Sequence, residues 1–134
     1  GAVVITTPQD IALIDARKGL EMFRKADVNL LGIIENMSSF QCAHCGEHTA
    51  LFGEVGGDAL ASATDVPLLG KVPLAIDIRR DADQGMPTVE SKPDSTLAKT
   101  YQDIAMKIAA TLSLTARVPE ITNNLGKNHV DKIR

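Results

Sequence analysis

The sequence predicts an α/β fold in which helices cover a parallel sheet. Two aliphatic segments, Ala2-Val3-Val4-Ile5 and Asn29-Leu30-Leu31-Gly32-Ile33-Ile34-Glu35, read as buried strands. The segment between them has a helical period, and strand, helix and strand at that spacing form a βαβ unit with a right-handed parallel crossover. Aromatic residues are scarce, represented by Phe23, Phe40, Phe52 and Tyr101. The core is therefore aliphatic, which suits a parallel sheet buried on both faces.

The first strand spans 2–6. Thr7-Pro8-Gln9-Asp10 reads as a helix start, with Thr7 as cap, Pro8 at the first helical position and Asp10 at the positive end of the helix dipole. Leu13, Ala16, Leu20 and Phe23 recur at spacings of three and four, so 8–26 is an amphipathic helix. The second strand covers 29–35. Residues 37–52 hold no sustained period and read as an excursion loop at the C-terminal end of a strand, where open α/β sheets place their sites. A short Ala-rich helix is expected over 54–64. Val66 to Pro73 forms a third strand, with Pro67 and Pro73 at its ends, where a missing donor matters least. A helix from Ile76 to Gln84 is stopped by Gly85, and Thr88 to Asp94 is polar loop. Leu97, Tyr101, Ile104, Ala105, Ile108 and Leu112 define a last helix over 95–114. Period and hydrophobicity fade beyond Pro119, so the folded unit is expected over 1–117, with 118–134 as a flexible tail.

Apolar residues make up 44% of the chain and charged residues 23%, the balance of a globular domain. A net charge of −3 gives no basic footprint for nucleic acid. No apolar run approaches the roughly 18 residues that suggest a membrane span. No signal-peptide pattern is present. Two cysteines without an export signal favour a metal or redox role in a reducing compartment, so the expected location is cytoplasmic. Because the sequence opens directly on a buried-strand pattern without Met, it is expected to be a piece of a larger fold.

The most informative motif is Cys42-Ala43-His44-Cys45, followed by Gly46. C-x-x-C lets two thiolates converge on one metal from a tight turn, and Gly46 supplies permissive backbone just after it. A structural zinc or a 4Fe–4S cluster normally takes four protein ligands. His44 would have to fold back on its own turn, and His48 is the more reachable third ligand. A second copy of the chain across a two-fold axis completes the set more simply. The pair can also be read as a structural zinc module for protein association, a thiol–disulfide oxidoreductase or ordinary cysteines. No helix pattern follows the motif to lower a thiol pKa, which weighs against the redox reading.

Asn36, at the end of the second strand, could hydrogen-bond a base edge or simply form a turn. Val72-Pro73-Leu74 could pack against a planar ring or merely end the third strand. Asp10 and Asp15 suit helix capping and a solvated face better than acid–base chemistry. Arg79-Arg80-Asp81 reads as a salt-bridged helix surface before it reads as a phosphate contact. The phosphate-cradling pattern G-x-x-x-x-G-K-[ST] is absent: Val72 follows Gly70-Lys71 and Asn128 follows Gly126-Lys127.

Together these segments resemble the Mrp/ApbC group of iron–sulfur cluster carriers among the MinD-type P-loop ATPases. Gly1 to Asp10, with Asp15-Ala16-Arg17-Lys18-Gly19, is similar to the strand and helix that follow the group's nucleotide switch region. Gly32-Ile33-Ile34-Glu35-Asn36-Met37-Ser38, leading into Cys42-Ala43-His44-Cys45-Gly46, resembles its cluster-binding segment. Phe52-Gly53 and Val66 to Leu74 follow in the group's order, and the likeness covers about residues 1–114. The resemblance implies the C-terminal portion of a P-loop NTPase fold, part of a doubly wound parallel sheet flanked by helices, without its phosphate loop. It implies a homodimer with a 4Fe–4S cluster bridged by Cys42 and Cys45 of each subunit, handed on to apo iron–sulfur proteins. It assigns Asn36 to an adenine contact and Val72, Pro73 and Leu74 to the segment flanking the base. ATP and Mg²⁺ then belong to the intact protein alone.

Overall fold

A computed structural model describes residues 1–115; the expected tail, 118–134, and the last two residues assigned to the folded unit, 116–117, lie outside them. The elements are β1 (Ala2–Thr6), α1 (Asp10–Lys25), β2 (Leu30–Gln41), β3 (His48–Thr49), α2 (Gly56–Thr64), β4 (Leu68–Leu74), α3 (Ile76–Asp83), α4 (Thr88–Ser91) and α5 (Thr96–Thr115). β2 is the hub of the sheet. It pairs in parallel with β1 on one flank and with β4 on the other. Its far end carries the two-residue antiparallel ladder to β3, so the sheet is mixed.

The pleat divides the aliphatic side chains between two layers. Val4, Ile33 and Leu68 join Ala16 and Leu20 of α1 and Leu60 of α2. Their immediate neighbours Val3, Ile34 and Leu69 join Val72 and Ile104, with Tyr101 and Ile108 of α5 against them. Adjacent residues on a strand point to opposite faces, so both faces of the sheet are covered, as expected. Close packing explains a glycine here: a Cβ on Gly70 would stand 2.5 Å from Ile104 Cγ1. Arg24, in the last turn of α1, donates from Nη2 to the Thr64 carbonyl at the end of α2, where a cation suits the negative helix end.

Three local expectations change. The 37–52 excursion is partly ordered, because β2 continues through Gln41 and pairs with His48 and Thr49. The polar 88–94 segment contains α4, fixed from outside: buried Asp81 accepts from Thr88 Oγ1 at 3.0 Å and from Ser91 Oγ at 2.9 Å. Thr7 does not cap α1. Gln9 is the N-cap residue, makes no side-chain cap, and receives the Thr7 hydroxyl at 2.7 Å.

Candidate metal centre

The site lies at the C-terminal end of the sheet, where β2 bends. Met37 has a left-handed backbone, with φ of 55°, and its N–H donates to Asn36 Oδ1 at 2.9 Å. The β2–β4 register shifts between Asn36 and Phe40. Beyond this bulge Phe40 pairs with Thr49 on one side and Leu74 on the other. A bulge of this kind bends a strand and re-aims the residues beyond it.

Just past Gln41 the chain enters the cysteine turn. Cys42 N–H donates to Glu47 O, and Gly46 N–H returns to Cys42 O, both at 2.9 Å. Gly46 has φ of 73°, the left-handed conformation for which glycine is suited. Both cysteines are free thiols; Cys42 is half-buried and Cys45 exposed. The Cys45 backbone amide lowers the Cys42 thiol below its ordinary range, helped by the His44 amide and the Cys45 side chain. Peptide N–H groups directed at sulfur favour thiolate, the form that binds metal.

His48, expected as the more reachable third ligand, has its Nδ1 2.9 Å from Ser39 Oγ, a contact that occupies one of its two ring nitrogens. Among the described residues no group of three or more His, Cys, Asp or Glu side chains is arranged to hold a metal ion. A groove of about 340 Å³ separates the cysteine turn, with Gln41, Cys42, Ala43 and Gly46, from Ala75, Ile76, Asp77 and Arg80 at the start of α3.

Asn36 and Val72 are register partners across β2 and β4, so the sheet brings together the positions singled out for a base. Val72 itself is buried in the core against α5. Pro73 and Leu74 are half-buried. Arg79 pairs with Asp83 and Arg80 with Asp77, the salt-bridged surface expected of that helix.

Sequence reasoning missed Glu35. It is 2% exposed, accepts the Gly57 amide at Oε2 and lies 3.8 Å from Lys71 Nζ, which also binds Asp58. The available signal was a charged residue ending an otherwise apolar strand run.

Solved structures place this arrangement in a known fold class. MinD from Pyrococcus furiosus, a cell-division ATPase, matches with a TM-score of 0.60 at 26% identity, covering 82% of this chain and 43% of that one. An Archaeoglobus fulgidus nucleotide-binding protein solved with ADP matches with a TM-score of 0.56 at 35% identity, over 63% of this chain and 35% of that one. The fold is thus that of the MinD-type P-loop NTPases. Within that class the chain belongs to the family described as ParA, the NUBPL iron-transfer P-loop NTPases, whose model matches residues 1–109.

Curated relatives agree. The iron-sulfur cluster carrier protein of Salmonella typhimurium is 52% identical over 112 residues, covering 84% of this chain and 30% of that protein. The iron-sulfur cluster transfer protein NUBPL of Mus musculus is 50% identical over 112 residues, covering 84% of this chain and 35% of that protein. The chain therefore spans about a third of the length of these relatives. No helix among the described residues is long and apolar enough to cross a membrane.

Proposed function

We propose that the chain holds a 4Fe–4S cluster between two copies of itself, through Cys42 and Cys45 of each, and passes it to apo iron–sulfur proteins. The observation that carries this is the Cys42–Gly46 turn. It offers one half-buried and one exposed thiol, directs peptide amides at the Cys42 sulfur, and has no third ligand grouped with it among the described residues. Two thiolates fill half of a cluster's four protein sites, and a second copy fills the others. Transfer is then ligand exchange. Thiols of the recipient replace Cys42 and Cys45 one at a time, each binding iron as its thiolate and giving its proton to the departing cysteine thiolate, and the cluster keeps its oxidation state. The names of the relatives support the class of cargo. Free thiols suit a reducing, cytoplasmic setting.

Asn36, beside the bulge of β2, and Pro73 and Leu74, at the end of β4, are read as the base-contacting edge of a nucleotide site in a longer protein, with Val72 buried behind them as the register partner of Asn36. There ATP turnover would regulate loading or release. The sequence carries no phosphate cradle, so no step of transfer by this chain runs through nucleotide.

Anaerobic reconstitution with iron and sulfide, followed by metal and acid-labile sulfide analysis, tests the cargo. Iron with matching sulfide is expected. Stoichiometric zinc without sulfide would replace this reading with a structural zinc module. A cycling Cys42–Cys45 disulfide without bound metal would replace it with a thiol oxidoreductase.

A further inference from the structure

The groove beside Cys42 is charged as well as open. Asp77 and Arg80 are the charged residues in its lining. Arg80 Nη1 donates to Asp77 Oδ1 at 3.3 Å, and Lys92 Nζ donates to Asp77 Oδ2 at 2.9 Å. Lys92 holds the Asp77 carboxyl below its usual range, with Arg80 adding to the effect. Within the lining Arg80 and Asp77 balance in formal charge, and Lys92, which stands outside it, takes up the second oxygen of Asp77, so the Asp77 carboxylate is shared and does not neutralise Arg80 alone. Neighbouring cations are committed elsewhere: Arg79 to Asp83, and Lys71 to Asp58 and Glu35.

A 4Fe–4S cluster with four thiolate ligands carries a net charge of about −2 in its oxidised form, and local charge helps set its potential. Two chains facing each other across such a cluster would bring two Arg80 guanidinium groups, one from each groove. We propose that Arg80 is the cation that compensates the cargo's charge, and that Asp77 is the positioning residue that orients it from the far wall of the groove. The inference rests on the reading that Cys42 and Cys45 hold a cluster. It adds the residues that set how firmly the cluster is kept and how readily it is reduced. Arg80 and Asp77 remain 57% and 41% exposed, so water and salt screen them. The effect of one charge is then about two- to fivefold on retention, the scale of an exposed ion pair.

The test uses the whole chain, reconstituted anaerobically, with Arg80→Lys, Arg80→Gln and Asp77→Asn. Two quantities are read: the rate of iron loss to a chelator at low and high salt, and the midpoint potential of the cluster. Arg80→Gln should lose iron about two- to fivefold faster and become harder to reduce. Arg80→Lys should stay near wild type. Asp77→Asn, which raises the local positive charge, should shift both readouts the opposite way, and added salt should narrow every difference. A role in packing alone cannot produce that sign order. If Arg80→Gln fails to fold, the Arg80→Lys and Asp77→Asn pair decides. Wild type that takes up no cluster overturns the cluster reading and this inference together. Wild type that loads normally, with variants that are identical or shift regardless of charge, overturns this inference alone.

Discussion

The Glu35 carboxylate accepts the backbone N–H of Gly57, joining the middle of β2 to the first turn of α2. The approach is so close that a Cβ on Gly57 would stand 2.6 Å from Glu35 Oε2. A carboxylate suits the positive end of a helix, and this one, at 2% exposure, has little water to compete with. Glu35→Ala should destabilise the chain by about 1–3 kcal/mol, the range for leaving a buried donor unpaired. Glu35→Gln should lose less, since its amide oxygen can still accept. Gly57→Ala should also destabilise, by steric conflict. The two losses should combine to less than their sum in Glu35→Ala/Gly57→Ala, because the first change removes the group that the second strikes. Urea unfolding of the four chains measures this; strict additivity would mean the contact does not couple the elements.

The same contact shows why part of the structure escapes the sequence. The strands, α1 and α5 were legible because their period is local: Val3 and Val4, or Ile33 and Ile34, declare a strand buried on both faces. The cysteine pair was legible because its spacing is local too. Glu35 reads in the sequence only as the last residue of the second strand, since its partners Gly57 and Lys71 are distant in sequence and meet it only in the fold. Helix α4 was missed for a related reason. Thr88-Val89-Glu90-Ser91 is too short to show a period, and buried Asp81 holds it from another helix. The extension of β2 past Asn36 depends on a two-residue ladder with β3, which leaves almost no pattern.

At Met37 the left-handed backbone sets a stereochemical requirement. Asparagine tolerates that region, whereas a β-branched side chain clashes there. Met37→Ile should destabilise by about 1–2 kcal/mol, and Met37→Asn by clearly less. Thermal melts of the two variants give the comparison. Equal losses would place the cost in side-chain packing instead of the backbone.

Asp77 gives the acid limb of the stability curve a definite sign. Its folded pKa is lowered, chiefly by Lys92 and further by Arg80. The pair therefore contributes stability above the ordinary carboxylate pKa and loses it as pH falls through the lowered folded value. Asp77→Asn should flatten that decline in urea midpoints measured from neutral to acid pH. An acid limb as steep as that of wild type would assign the decline to other carboxylates.

ATP hydrolysis by this chain should be indistinguishable from buffer. Positioning and charge stabilisation of the phosphates supply most of the catalysis in such sites, and the sequence holds no phosphate loop. Asn36 can offer at most a base contact, and its Oδ1 already accepts the Met37 amide. Phosphate release by the pure protein, dependent on Mg²⁺ and lost in Asn36→Ala, would show that a catalytic site exists.

Stoichiometry decides how the cluster is held. Each chain has two cysteines, and a 4Fe–4S cluster takes four protein ligands, so reconstituted protein should carry about one cluster per two chains and run as a dimer. Cys42→Ala or Cys45→Ala should each abolish stable loading, since either leaves the shared site with two thiols. His48→Ala should change little, because a second copy of the chain supplies the two remaining thiolates. A bridged cluster is also easily released: separating the chains removes half its ligands at once, which suits a carrier and would defeat a structural site. Iron, sulfide and molar mass in solution, measured before and after reconstitution, provide the test. A monomer that keeps a full cluster would overturn the bridged arrangement. So would loading that survives Cys45→Ala but fails in His48→Ala, because the ligand set would then lie within one chain.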